Sequence, residues 1–165
     1  MKSQIETIVA KIFGDTSLLV NTCKSWNASG KKIVFTNGVF DLLHKGHADY
    51  LARARDLGDV LVVGVNTDAS VSKLKGPHRP IQDEQARMFL LASLACVDAV
   101  ILFGEQTPYN LIAAVQPDVL VKGSDYKAEA IVGYDIVTAK GGKVQTIDFI
   151  TGYSTTAIEK RIKEQ

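Results

Sequence analysis

Cysteine is scarce: Cys23 and Cys96 are the only two in 165 residues. They have no motif spacing, so both read as buried or half-buried thiols rather than a redox or zinc signature. Net charge is almost absent as well. Nineteen Lys and Arg against eighteen Asp and Glu leave +1, which gives no electrostatic case for binding nucleic acid. No apolar run approaches the ~18 residues that span a bilayer, and the first ten residues carry Glu6 without the apolar core of a signal peptide. The expectation is a cytoplasmic protein with no membrane partner. There is no Walker A sequence, no G-x-G-x-x-G after the first strand, and no elbow around a Ser or Cys nucleophile. Repeats, low-complexity tracts and a second domain are also missing.

What is present is an ordinary globular composition, 46% hydrophobic and 22% charged, in a chain long enough for one domain with a substantial core. Residues 1–30 form a helical extension by pattern. Ile5, Ile8, Val9 and Ile12 recur at helical spacing, Leu18, Leu19 and Cys23 suggest a second short helix, and residues 27–30 read as a turn. From residue 31 strands and helices alternate through the remaining domain, 31–165. Apolar β-rich runs lie at 32–36, 60–66, 98–103, 118–122 and 143–148, and helical patterns at 46–57, 82–95, 107–115, 128–140 and 154–163. Residues 60–65 are apolar throughout, as in a strand covered on both faces. The order predicts an α/β, Rossmann-like, doubly wound fold: a five-stranded parallel sheet with helices on both faces. Ligands of such sheets bind beyond the carboxyl ends of the strands.

The first strand-to-helix junction carries Asn37-Gly38-Val39-Phe40-Asp41, then His44-Lys45-Gly46-His47. A strand feeding a helix N-terminus offers backbone N–H groups and the positive end of the helix dipole to an anion. Two imidazoles three residues apart share a helix face, and Gly46 lets a ligand approach the backbone. With no well-placed third ligand, two histidines make a poor metal site. At the last helix start, Gly152-Tyr153-Ser154-Thr155-Thr156 reads as N-cap chemistry and as a second phosphate cradle if the topology brings it beside the first.

Residues 73–80 hold four potential cations, Lys73, Lys75, His78 and Arg79, among Gly and Pro. This predicts a basic loop, either simply solvated or closing over phosphates. Arg87 lies within an apolar helix. Lys122-Gly123-Ser124-Asp125 ends a strand at the ligand edge, where Lys122 suits phosphate and Asp125 suits sugar hydroxyls. Asp68, after the 60–66 strand, is a further sugar contact on the same edge.

These motifs resemble the cytidylyltransferase-like nucleotidyltransferase superfamily across residues 32–165. Leu74-Lys75-Gly76-x-x-Arg79-Pro80, Val121-Lys122-Gly123-x-Asp125-Tyr126 and Ile131-Val132-Gly133 narrow the resemblance to bacterial heptose 1-phosphate adenylyltransferases in free-standing form. The resemblance implies transfer of an adenylyl group from ATP, with Mg²⁺, to a heptose 1-phosphate, for lipopolysaccharide or a related surface glycan. It also implies a homo-oligomer, a dimer or higher. By the same resemblance His44 and His47 contact the triphosphate, and Lys73 or Lys75 bridges the two substrates' phosphates, with Lys75 the catalytic candidate. Asn37, Gly38, Phe40, Asp41, Gly46, Arg87, Lys122, Gly123, Tyr153, Ser154 and Thr155 bind nucleotide. Asp68, Lys73, Arg79 and Asp125 bind the sugar phosphate. Related cytidylyltransferases carry an arginine just before the G-x-S-T-T run and another soon after the position of Arg87. Residues 148–151 (Asp-Phe-Ile-Thr) and Ala95 stand there instead, which argues against cytidine. The competing readings are a CTP-dependent enzyme acting on glycerol 3-phosphate or another phosphoalcohol, a nucleotide-binding module without catalysis, and a structural subunit of a larger assembly.

Overall fold

A computed structural model describes residues 2–124 and 127–164 of the chain. Six parallel strands form one sheet: β1 (Ile12–Phe13), β2 (Ile33–Gly38), β3 (Val60–Asn66), β4 (Ala99–Phe103), β5 (Val119–Gly123) and β6 (Lys143–Ile147), in the spatial order β1-β4-β3-β2-β5-β6. The helices are α1 (Gln4–Val9), α2 (Thr16–Ala28), α3 (Lys45–Arg55), α4 (Asp68–Lys75), α5 (Glu84–Ala92), α6 (Tyr109–Val115), α7 (Tyr134–Ala139) and α8 (Thr155–Lys163), with a short 3₁₀ turn at Ala128–Ala130.

Alternation along the strands sorts the core into two layers. Val34, Leu61, Val63, Val65 and Val100 pack with Tyr50, Leu51, Met88 and Leu91 of α3 and α5. Ile33, Phe35, Val60, Val62 and Leu120 pack with Leu19, Cys23, Leu111, Ile112 and Val137 of α2, α6 and α7. Every residue of β3 is buried, because helices cover both of its faces. The amino edge of the sheet is stitched by aspartates that each stand one residue before a strand. Asp59 accepts from the N–H of Lys32, Asp98 from that of Leu61 and Asp118 from that of Ile33, at 2.7–2.8 Å. Backbone donors that would otherwise be unpaired at that end are thereby satisfied, and the carboxyl edge is left to the ligand.

Four elements depart from the sequence reading. Ile12 does not continue a helix. It lies in β1, which pairs with Val100 and Ile101 of β4 and adds a sixth strand to the expected five. The segment around Leu18 and Leu19 is a full helix whose last residues are Asn27 and Ala28, so the turn begins only at Ser29. Lys73 and Lys75 are not in a loop: Thr67 caps the Ser70 N–H, and α4 runs on through both lysines to Gly76, whose φ of +97° ends it. The expected helix at 128–140 is split by Gly133, also at positive φ, whose Cβ position is filled by Ile112.

Between β2 and β5 the strand order reverses direction from the centre. This switch point opens a crevice at the carboxyl edge.

Candidate active site

The site grows from the loop joining β2 to α3. Phe40 takes φ +50°, uncommon for a residue with a Cβ, and this turns the chain from the strand into the loop. His44 caps α3: its Nδ1 accepts the N–H of His47 at 3.3 Å. The two rings stack with centroids 3.8 Å apart, and Phe40 meets His47 edge-on at 5.2 Å. A Cβ on Gly46 would approach His44 Nδ1 to 3.0 Å and Tyr153 Cβ to 3.2 Å, so a larger residue here would push the His44 ring or the segment before α8 outward.

A cavity of about 200 Å³ lies over the loop. Its wall brings together Asn37, Gly38, Phe40, Asp41, His47, Lys75, Lys122, Gly123 and Thr155, all named from the sequence. Val39, Tyr50 and Phe149 complete it and were not named. The rings of Tyr50 and Phe149 meet tilted by 30° with centroids 5.4 Å apart, a contact between α3 and the segment after β6 that no linear motif signals. Two buried polar atoms of this wall, Asn37 Oδ1 and His47 Nδ1, have no hydrogen-bond partner among the described residues. Such atoms cost about 1–3 kcal/mol when left unpaired, and a polar ligand in the cavity would satisfy them. A second cavity, about 310 Å³, shares Asn37, Gly38, Val39 and Lys122 with the first. It continues over Asn66, Leu74, Gln106, Thr107, Pro108, Ile131 and Val132 on the other side of the sheet edge. The Lys122 ammonium donates to the Asn37 carbonyl at 3.1 Å, across the β2–β5 switch point.

Burial, then the neighbouring His44 and Lys75, push the His47 imidazole down to about 4, so it is neutral near pH 7 without a ligand. Burial also lowers His44. Burial alone would raise the Asp41 carboxyl; hydrogen bonds from the N–H groups of Gln82 and Ile81 and from Arg79 outweigh it and hold it below the usual range.

Other residues named from the sequence stand away from that wall. Arg87 is fully buried and donates to the carbonyls of Gln82, Val39 and Asn66 and to the Asp68 carboxylate, at 2.6–3.1 Å. It ties the first loop to the β3 end, and Asp68 is its ion-pair partner. Arg79 pairs with Asp41 and with Glu159 of α8. Lys73 lines a separate hollow with Ser70, Leu74, Gly104 and Gln106, whereas Lys75 shares the first cavity with His47. Ser154 caps α8 by accepting the Ala157 N–H at 3.0 Å, and Tyr153 carries Lys45 over its ring. Asp125 lies outside the described residues. Among the described residues no group of three His, Cys, Asp or Glu side chains could cage a metal, and the one carboxylate of the cavity wall, Asp41, is saturated by its three donors. No helix of the described residues is long and apolar enough to cross a membrane.

A family model described as cytidylyltransferase-like matches residues 35–161. The bifunctional protein HldE of Campylobacter concisus is 58% identical over 134 residues, 81% of this chain and 28% of that protein. HldE of Nitrobacter hamburgensis is 53% identical over 151 residues, 92% of this chain and 31% of that protein. The chain thus spans under a third of the length of these relatives. Among solved structures, the lipopolysaccharide core biosynthesis protein from Thermoplasma volcanium superposes with a TM-score of 0.61 at 36% identity, over 76% of this chain and 100% of that one. Pantoate-β-alanine ligase from Francisella tularensis, at 17% identity and TM-score 0.61 over 92% of this chain and 76% of its own, shares the fold alone.

Proposed function

The chain belongs to the cytidylyltransferase-like family, and from that premise we propose that it transfers the adenylyl group of ATP to a heptose 1-phosphate, releasing pyrophosphate and forming an ADP-heptose for surface-glycan synthesis. One observation carries the reading: the cavity under His47 and Lys75 and the cavity lined by Gln106 and Thr107 meet at Asn37–Val39 and Lys122. A nucleotide in the first and a sugar phosphate in the second would bring their phosphates together at that seam. The likeness to HldE proteins and to a lipopolysaccharide core biosynthesis protein points to the same class of acceptor.

In this mechanism an oxygen of the sugar phosphate attacks the α-phosphorus of ATP in line. A new P–O bond forms, the bond from the α-phosphorus to the bridging oxygen breaks, and pyrophosphate leaves with the electron pair. No covalent enzyme intermediate is needed. The protein supplies position and charge. Lys75 and Lys122 provide cations, and the N-termini of α3 and α8 point dipoles at the phosphates. His47, neutral in the empty site, donates an N–H or takes up a proton as negative charge arrives beside it. Since the described wall offers no metal cage, Mg²⁺ would come bound to the triphosphate and offset part of its charge. Lys75, rather than Lys73, is the lysine that bridges the two phosphates.

The test is pyrophosphate release by the purified protein with Mg²⁺, heptose 1-phosphate and each of ATP, CTP, GTP and UTP. Release with ATP alone is the expected result. Release only with CTP and glycerol 3-phosphate would replace the substrate assignment, and nucleotide binding without turnover on any acceptor would replace the catalytic one.

A further inference from the structure

Arg79 lies off the cavity wall, yet it touches three of the segments that build it. Its Nη1 donates to Asp41 at 2.7 Å, in the loop that leads into the His44–His47 turn. Its other terminal nitrogen forms an ion pair with Glu159 of α8, the helix whose first residue, Thr155, lines the cavity. Its backbone is hooked onto α4: the Ser72 hydroxyl donates to the Arg79 carbonyl at 2.5 Å, and the Arg79 N–H donates to the Gly76 carbonyl at 3.1 Å. Gly76 directly follows Lys75. Three segments of the cavity wall, those of residues 41, 75 and 155, thus converge on one residue, the first and last on its guanidinium and α4 on its main chain.

We infer that Arg79 is a positioning residue, a clasp that sets α8 and the α4 terminus against the His44–His47 loop, and not a ligand of the substrate. The inference deepens the nucleotidyl-transfer reading and rests on it for its catalytic consequence. Charge supports it. One guanidinium between two carboxylates is a cluster of net −1, a poor lure for a phosphate, and its side chain is only 19% exposed. Geometry supports it too. The planar fork of arginine reaches two carboxylates on different elements at once, which a point-like ammonium does not. The clasp matters most to α8, which has no buried residue. Among the described residues, the pair from Glu159 to Arg79 is the one ion pair that ties this helix to the body of the protein; the Lys160–Glu164 pair stays within its own last turns.

The variants are Glu159→Gln, Arg79→Lys and the double substitution, read by steady-state kinetics for ATP and by hydrogen exchange of the α8 amides. Glu159 is half-buried against Arg79, and Glu159→Gln keeps its size while removing its charge, so it tests the clasp without altering the Asp41–Arg79 bond. The expected result is a rise in KM for ATP of roughly 3- to 10-fold in each single variant, with kcat changed less. Exchange over residues 155–163 should be faster in each. The double variant should be no worse than the worse single one, because both substitutions remove the same contact. If Arg79→Lys raises KM while Glu159→Gln leaves KM and α8 exchange as in the unmodified protein, Arg79 is a substrate ligand and the clasp is wrong. Multiplying effects in the double variant would overturn it as well. Should no nucleotide turn over, the exchange arm still decides the clasp: faster α8 exchange in Glu159→Gln upholds it, and unchanged exchange rejects it.

Discussion

His47 is the residue on which chemistry and folding pull against each other. The proposed reaction places its imidazole beside phosphates, but its surroundings make a charge costly: burial comes first, then the positive charges that His44 and Lys75 would add. The consequence has a sign. An unfolded histidine titrates near 6.5, whereas His47 in the fold takes a proton only near pH 4. Between those values the unfolded chain binds more protons, so stability falls as pH drops through that window and is unaffected by this group above it. The melting temperature of the unmodified protein should therefore fall between pH 6.5 and 4.5 more steeply than that of His47→Gln; equal slopes would show that His47 is not buried neutral. Replacing His47 by Ala should lower kcat by about 10²–10³, the scale of losing one oriented donor at a developing charge, and near-normal turnover would remove it from the mechanism. Arg87 shows the opposite relation between pattern and role. As a lone arginine in an apolar helix it read as a nucleotide ligand or a surface side chain. Four of its N–H groups are instead turned inward on Val39, Asn66, Asp68 and Gln82, and only the folded positions of those acceptors reveal it.

At the scale of elements, the starts of α3 and α8 were legible because helix starts have a local chemistry. Ser154 before Thr155 and His44 before Lys45 supply side-chain acceptors for the first turns of α8 and α3, and such capping is written in a few adjacent residues. Ser154→Ala should fray α8, at a cost of about 1 kcal/mol to the helix. With no buried residue to hold that helix, the loss should appear as a higher KM for ATP and faster exchange of its first amides, with little change in overall melting temperature. A fall in global stability with unchanged KM would place α8 in the core instead. The α4 helix was not legible in the same way. Lys-Leu-Lys-Gly-Pro-His-Arg-Pro has loop composition, but the Thr67 cap and the burial of Ser70 and Val71 carry the helix through both lysines to Gly76. The helical turn then sends Lys73 and Lys75 to different hollows, which favours Lys75 in the proposed role where spacing left the two open.

The whole molecule adds an edge that the pattern from residue 31 onward did not contain. Ile12 and Phe13 pair with β4, the Val100 N–H donates to the Lys11 carbonyl at 2.8 Å, and the Lys11 ammonium donates to the Leu94 carbonyl at 3.2 Å. Ile8 and Ile12 pack on the layer that holds α3 and α5. Deleting residues 1–14 should uncover β4 as an edge strand and expose apolar surface near Met88 and Leu91. The expected cost is about 2–4 kcal/mol, from burial worth roughly 1.5–3 kcal/mol per large apolar side chain less the chain entropy regained, together with a tendency to aggregate. Denaturant unfolding checks it, and an unchanged midpoint would make the segment an ornament of the sheet. The sequence by itself determined the parallel α/β class, the strands from residue 33 on, the helix-start cradles and most of the cavity wall, because period, capping and turn chemistry act over a few neighbouring residues. Only the tertiary structure decided that a two-residue strand closes the sheet, that Asp41, Arg79 and Arg87 serve as ties between segments, that Phe149 faces Tyr50, and that Lys75 rather than Lys73 looks at His47. Each of these depends on groups brought together from distant parts of the chain, where burial and the pairing of charge, not local preference, choose the partner.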